Sequence, residues 1–228
     1  QLLETVQKDL RLKQLPVHIE CFDNSNIQGA YPVAACVVFK NGKPSKKDYR
    51  HFNIKTVEGP NDFASMEEVV QRRYRRMLEE GSSLPQLIVI DGGKGQLGSA
   101  MNALNGLGLG GKIAIIGIAK RLEEIFYPGD PVPLYLDKNT PSLKLIQHLR
   151  NEAHRFGISF HRDKRSKGAF VSKLESIPGI GSKSMEALLT QFKSLSGIQS
   201  ASFIELKEVV GAARAKSILD YFIQIQAK

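Results

Sequence analysis

Residues 86 to 97, QLIVIDGGKGQL, constrain this chain more than any other stretch. Leu87 to Ile90 form an apolar run with no polar alternation, the pattern of a strand covered by helices on both faces of an α/β sheet. The run stops on Asp91, and Gly92, Gly93 and Gly95 then allow a tight turn before Gln96 and Leu97 open a helix. A carboxylate is thereby set at the C-terminal edge of a central strand, where loops diverge and ligands and metals collect in open sheets. Taken alone, Asp91 reads equally well as a turn aspartate capping the next helix. A second strand with the same ending tips the balance. Residues 17 to 23, VHIECFD, run into Asp23 and the polar turn Asn24-Ser25-Asn26. Two strands of one sheet, each ending on an aspartate, can offer both carboxylates to one divalent cation.

The chain has 228 residues, enough for one sizeable α/β domain and a small second one. Hydrophobic content of 42% and 24% charged residues are ordinary globular values. No apolar run approaches the ~20 residues of a membrane span, and no secretory signal opens the chain. The first residue is Gln rather than Met, which reads as a fragment of something longer. The net charge of +9 calls for an anionic partner, nucleic acid first and an anionic membrane surface second. Cys21 and Cys36 fall in expected strands without a CxxC or a His-rich neighbour, so they read as buried thiols in a reducing compartment.

In order along the chain, residues 2 to 13 predict a short amphipathic helix, and Tyr31 to Lys40 a long strand. Asn41-Gly42 is a strong hairpin signal that returns Pro44 to Ile54 as a third, more polar strand. Three strands followed by helix and strand alternation favour a mixed sheet. A helix lies between Pro60 and Gly81, capped by Asp62 or by Ser65, the latter in a Ser65 to Glu68 capping box. Arg72, Arg73, Arg75 and Arg76 crowd it as either a solvated face or a phosphate-facing patch. The glycine-rich loop at 106 to 111 follows a helix and precedes a strand, the reverse of what pyrophosphate binding requires. Ile113 to Ile118 is a further buried strand, and Glu124 to Tyr127 with Pro133 to Leu136 form a small hairpin.

Pro141 to about Asp163 predicts a long helix with Leu145, Leu149, Ala153, Phe156 and Phe160 on its buried face. A neighbouring stripe, Gln147, Arg150, His154, Ile158 and His161, puts His154 at the seam, either as a border residue or as a ligand. Residues 150 to 167 are the most basic part of the chain and include Arg155. Lys164 to Gly168 reads as a hinge, beyond which strands vanish. Gly179-Ile180-Gly181, followed by Lys183, is a hairpin between two helices, and the pattern returns more weakly around Gly211 and Arg214. Two such units share one core. Their backbone donors, at the starts of helices, suit phosphates at any sequence.

Four stretches resemble the C-terminal half of the bacterial nucleotide excision repair nuclease family UvrC. They are Ile19 to Ser25, Gly59 to Met66, Ile90 to Leu97 and Arg150 to Phe156, and with the tail the resemblance covers essentially the whole chain. It implies an RNase H-like mixed sheet flanked by helices, followed by an all-α tandem helix-hairpin-helix domain. The expected bounds are 1–16 for an N-terminal helix, 17–166 for the endonuclease domain and 167–228 for the tail. It further implies an endonuclease cutting on the 5′ side of a DNA lesion, in the cytoplasm, on damaged duplex DNA. UvrB is the expected partner, contacted mostly outside this chain, and no membrane is involved. Asp23, Asp91 and His154 match the family's metal-binding triad and Asp62 a further acidic position. Val210-Gly211-Ala212 departs from a fuller Gly-x-Gly.

Phosphodiester hydrolysis needs a divalent cation to neutralise charge and activate water, and hard oxygen ligands select Mg²⁺, with Mn²⁺ able to substitute. Two carboxylates and a histidine suit one ion, with substrate phosphates completing any second. His154 serves as third ligand or handles a proton. Lys94 and Lys120 follow strand ends and are candidates to hold phosphates. A non-catalytic DNA-binding scaffold on a degenerate nuclease fold is the alternative.

Overall fold

The computed structural model describes residues 1–25, 32–57, 61–193 and 195–227, and no side chain over 160–172. Expectations for Asn26, for the strand start at Tyr31, for Gly59-Pro60, and for the side chains of Phe160, His161 and the basic run 162–167 therefore lie outside the described residues. The chain divides into two compact units, Gln1–His161 and Arg162–Lys228.

The first unit is a mixed sheet in the order β3-β2-β1-β5-β6-β7, with β4 also pairing β2. β1 (His18–Ser25) runs antiparallel to β2 (Val33–Lys40) and parallel to β5 (Leu87–Asp91), which is parallel to β6 (Ala114–Ile118). All five residues of β5 are buried, as its unbroken apolar sequence requires. Asn41 and Gly42 both take positive φ, +54° and +78°, the turn geometry that matches strand twist in a two-residue hairpin. The returning strand expected over 44–54 is instead broken. β3 (Lys43–Pro44) ends at a proline with no donor, a 3-10 turn at Lys46–Asp48 is pinned by Ser45 Oγ on Asp48, and β4 (Arg50–Asn53) resumes the pairing. β7 (Ile125–Phe126) closes the edge through the small hairpin, with Ile125 bridged to Leu134.

Side-chain alternation along β1 sends its residues to two different helix layers. Glu20 and Phe22 meet Arg73 and Tyr74 of α2 (Asp62–Glu80). Asp23 meets His154 of α4 (Pro141–Glu175), and Phe39, opposite Ile19, meets His148. α1 (Leu2–Asp9) contributes Val6 to the core, and Asp9 accepts hydrogen bonds from Thr140 and Ser142 at the start of α4. α3 (Lys94–Gly106) follows β5.

The cap of α2 differs from both expected residues. Asn61 accepts from the Ala64 N–H, and Ser65 and Glu68 form no capping box. Glu68 is committed elsewhere, accepting from Lys55 N, Thr56 N and Thr56 Oγ1 and pairing with Arg72. The arginines of α2 are likewise spoken for: Arg72 by Glu68 and the Asn53 carbonyl, Arg73 by Glu20, Arg76 by Glu80. The phosphate-facing alternative is thus left with Arg75 among the described residues. α4 continues through Lys164 to Gly168, where a hinge was expected. That stretch contains no proline, and one glycine costs a helix only about 1 kcal/mol.

The second unit packs Leu174, Ile177, Ile180, Met185, Leu188, Ile198, Leu206, Val210, Ala215, Ile218 and Phe222 into its own core. These come from the end of α4, the turn that carries Ile177 and Ile180, α5 (Ser182–Phe192), α6 (Leu195–Ser200), α7 (Phe203–Val210) and α8 (Ala212–Gln226). Gly179 and Gly211 have φ of +86° and +88°, and Gly181 and Gly211 stand at the N-caps of α5 and α8. Both expected hairpins are therefore present.

Glu20 is fully buried, held bidentately by Arg73 at 3.1 and 2.8 Å, by Tyr74 Oη at 2.9 Å and by His18 at 2.7 Å. Burial alone would push its carboxyl up, but the His18 and Arg73 contacts outweigh that and hold it down at about 2. A carboxylate lowered on folding stabilises above its unfolded value of 4.5, and that contribution is lost as pH falls towards 2. Urea unfolding should show Arg73→Ala destabilised by about 3–5 kcal/mol at pH 7, since a buried charge loses its partner. The difference from the parent should shrink as the pH is taken from 4.5 towards 2.

Candidate active site

The register of β1 on β5 pairs Phe22 with Ile90, so the next residues, Asp23 and Asp91, stand abreast at the C-terminal end of β5, while β1 runs on against β2 to Ser25 instead of stopping at Asp23 as expected. Each is only 4% exposed. The two carboxyls are close enough to act on one another, and Asp91 Oδ1 is buried with no hydrogen-bond partner. Burial pushes Asp23 up to about 8, reinforced by the neighbouring Asp91 charge, while Lys120 opposes the rise. Burial also raises Asp91, opposed by Lys120, Arg150 and His154. Two carboxyls this close cannot both ionise cheaply, so one proton is shared between them.

α4 supplies the other wall. It is seated by Tyr49 Oη donating to Glu152 at 2.8 Å, by His51 Nε2 and the Phe156 carbonyl at 2.8 Å, and by the Phe39 and His148 rings edge to face. One turn apart on that helix, Arg150 stabilises ionised Asp91 and His154 Nδ1 lies 3.4 Å from Asp23 Oδ2. The His154 side chain is 58% exposed, so its ring spans from the carboxylates to solvent. The side chains of Asp23, Asp91 and His154, remote in sequence, are thus brought together. Among the described residues, no group of three His, Cys, Asp or Glu side chains is spaced to hold a cation by itself. The donor set nevertheless fits a hard divalent ion: two carboxylates, one with an unspent buried oxygen, leave the remaining positions to water or phosphate oxygens.

Asp62 opens α2 at the rim. Its carbonyl accepts from Asn24 Nδ2 at 2.8 Å, and its charge contributes to the rise of Asp23. Gly95, at the start of α3, lets the exposed Phe63 ring lie against it, since a β-carbon there would come within 2.6 Å of the ring and displace it. Lys94 does not serve the aspartates: its ammonium donates to the Pro131 carbonyl at 2.9 Å and lies over the Phe126 ring. Arg155 is occupied by Glu152 at 2.8 and 3.0 Å. In the second unit, Ile180 is buried, so its part in the hairpin is to anchor the turn. Lys183 is exposed on the first turn of α5, and a methyl on Gly179 would come within 3.7 Å of Arg214 Cγ, which brings the two hairpins together.

Residues 7–158 match the UvrC RNase H endonuclease domain, and residues 171–222 match the SAM-like tandem helix-hairpin-helix. The chain belongs to the UvrC family. It is 66% identical over 222 residues to UvrABC system protein C of Flavobacterium johnsoniae, covering 97% of this chain and 37% of that protein. It is 68% identical over 222 residues to that of Christiangramia forsetii, with the same coverage. The chain thus spans a little over a third of the length of these relatives. Among solved structures, a DNA-bound endonuclease V of Ciona intestinalis overlaps 66% of this chain and 64% of its own at 20% identity, with a TM-score of 0.35, a loose likeness that bears on neither site nor substrate.

Sequence reasoning missed Arg150 and Glu123 as neighbours of the site. The stripe that singled out His154 already contained Arg150 one turn earlier, which was the available signal. Glu123 sits in an irregular turn after β6, and no periodicity marks it.

A carboxyl raised on folding disfavours the folded state as pH climbs from its unfolded value through its folded one. Asp23→Asn should therefore raise the melting temperature, with no metal added, at pH 8 and leave it nearly unchanged at pH 3.5. Adding Mn²⁺ at pH 8 should stabilise the parent and not the variant, measured by calorimetry.

Proposed function

We propose that the chain is the incising half of a nucleotide excision repair nuclease, a metal-dependent enzyme that hydrolyses the DNA phosphodiester on the 5′ side of a lesion. The observation that carries this reading is the pair of buried carboxyls, Asp23 and Asp91, brought abreast by the register of β1 on β5, with an unspent oxygen on Asp91. Family membership supplies the excision nuclease context.

Asp23 and Asp91 would hold Mg²⁺ or Mn²⁺, with His154 beside them. The bound ion would supply charge neutralisation at the phosphate and a more acidic water. The rest falls to the chain's own groups. Asp23 gives up the shared proton, so that both carboxylates present oxygens. His154 keeps Nδ1 towards Asp23, which fixes its ring and leaves Nε2 to exchange a proton with an attacking or leaving oxygen. Burial of the carboxylates on a rigid sheet pre-positions them with no further ordering.

The helical unit holds DNA by its backbone. Gly181 and Gly211 end their turns at the N-termini of α5 and α8, where free N–H groups and the helix dipole favour phosphate. Lys183 and Arg214 add charge, and contact between Arg214 and Gly179 joins the hairpins into one face. Such binding reads no sequence, which suits a lesion at any position. UvrB is the partner that would deliver the chain to damage, in the reducing cytoplasm that the buried thiols of Cys21 and Cys36 suit.

Asp23→Asn and Asp91→Asn should each slow nicking of a lesion-bearing duplex, with UvrB loaded, by at least about 100-fold, because even groups one step removed from a metal are worth about 10–100-fold. Parental rates from both variants would end the proposal. Gly179→Ala places a β-carbon at φ +86°, a strain of about 1–2 kcal/mol. It should weaken duplex binding in fluorescence anisotropy while the nuclease unit keeps its circular dichroism and Mn²⁺ response.

A further inference from the structure

The turn between β6 and β7 carries four residues that the mechanism above does not use: Lys120, Arg121, Leu122 and Glu123. Leu122 and Glu123 are consecutive non-glycine residues in left-handed backbone, φ +62° and +51°. Such strain persists only where surrounding contacts over-determine it, and it gathers at functional sites. Glu123 supplies those contacts. Its Oε1 accepts from Gln147 Nε2 at 2.8 Å and from Arg150 Nη2 at 3.4 Å, tying the turn to α4 beside the carboxylates.

The 3.4 Å bond is long for a guanidinium on a carboxylate, and the two side chains are 20% and 30% exposed. Arg150 is therefore oriented by Glu123 without being consumed by it. It stands one turn before His154 on α4, on the side of the helix that faces the carboxylates. Lys120 lies two residues beyond Ile118, the end of β6, which stands opposite Asp91 in the sheet. It is exposed, has no hydrogen-bond or ion-pair partner among the described residues, and its charge reaches both aspartates. One free cation and one loosely held one thus stand beside two carboxylates. Like charges repel an incoming phosphate unless cations stand beside them, and a planar guanidinium held by a second carboxylate is suited to receive one bidentately.

We infer that the strained turn is a phosphate-positioning device: Lys120 and Arg150 grip the DNA backbone phosphate next to the carboxylate pair, and Glu123 sets the orientation of Arg150. This rests on the nuclease reading above and adds to it the residues that place the strand. Arg150 and Lys120 touch the substrate backbone; Glu123 is a positioning residue.

The test uses the 228-residue chain, with a fluorescent duplex as probe and two independent readouts. In EDTA, where no cutting occurs, Lys120→Ala and Arg150→Ala should each weaken binding about 3–10-fold near 100 mM salt and reduce the salt slope by about 1, as for one lost phosphate contact. Arg150→Lys should keep most of the affinity yet nick more slowly, having charge but no fork. Glu123→Gln should bind as tightly as the parent or more tightly, and nick about 10-fold more slowly at saturating DNA. Unchanged affinity and slope in Lys120→Ala and Arg150→Ala would overturn the inference. So would a Glu123→Gln variant that loses affinity as Arg150→Ala does, since its role would then be merely structural. Should Arg150→Ala fail to fold, exposed Lys120 still decides the binding arm. A parent that binds normally but never nicks removes the nuclease reading, while the EDTA arm continues to judge the turn.

Discussion

Two carboxyls of like charge are pressed together in a buried place, and the rest of the nuclease unit is arranged to make that tolerable. Asp23 and Asp91 meet because β1 and β5 are parallel and in register. Adjacent strands lie only about 4.8 Å apart, so residues standing abreast on them are within bonding reach. An antiparallel pairing would have sent the two strand ends to opposite edges of the sheet. Retaining a proton is the cheap response in the absence of a cation, and both carboxyls are raised accordingly. Lys120, Arg150 and His154 partly offset the repulsion from outside, without supplying a full ion pair to either acid. A site solved completely by internal ion pairs would have nothing left to offer a metal or a phosphate.

Glu20 shows the contrast on the opposite face of the same strand. It is as deeply buried as Asp23, but Arg73, Tyr74 and His18 satisfy both its oxygens, so its carboxyl goes down instead of up. One strand therefore carries a structural acid and a candidate catalytic acid three residues apart, separated by the sheet itself. Their opposite shifts follow from what each layer of helix provides. α2 brings a bidentate arginine; α4 brings an exposed histidine. Because alternation assigns residues to faces, slipping β1 by one position would exchange these environments and leave Glu20 unpaired beside α4.

Much of this was legible in the sequence. The unbroken run at 87–90 ending on Asp91, the Asn41-Gly42 turn and the paired hairpins in the tail depend on local pattern, and the structure has them, whereas the first strand runs past Asp23 to Ser25 because β2 goes on pairing with it. His154 was legible only as the seam between two stripes, and its neighbours at the site were not. What the sequence concealed was set by competition among tertiary partners. Ser65 and Glu68 have the spacing of a capping box, yet Glu68 is drawn to Lys55, Thr56 and Arg72, and Asn61 takes the cap. Lys94 has the position of a phosphate ligand beside a glycine turn, yet a carbonyl and an aromatic face claim it. The arginines of α2 look like a basic patch until their acidic partners are seen.

That last point separates where charge is counted from where it acts. The chain's excess of +9 is an ensemble property, and many of its cations are paired: Arg72, Arg73, Arg76 and Arg155 all face carboxylates. A net charge draws polyanions to the molecule as a whole, but only uncommitted cations can contact a phosphate. In the nuclease unit, Lys120 is without a partner among the described residues and Arg150 is only loosely held by Glu123, next to acids that would themselves repel DNA. In the helical unit, Lys183 is uncommitted next to backbone donors at the start of a helix, where no acid opposes it in the first turn. The two units thus solve the same electrostatic problem differently. The helical one offers phosphates fixed dipoles. The sheet sets two cations, Lys120 and a loosely held Arg150, beside an acid pair whose charge they partly offset.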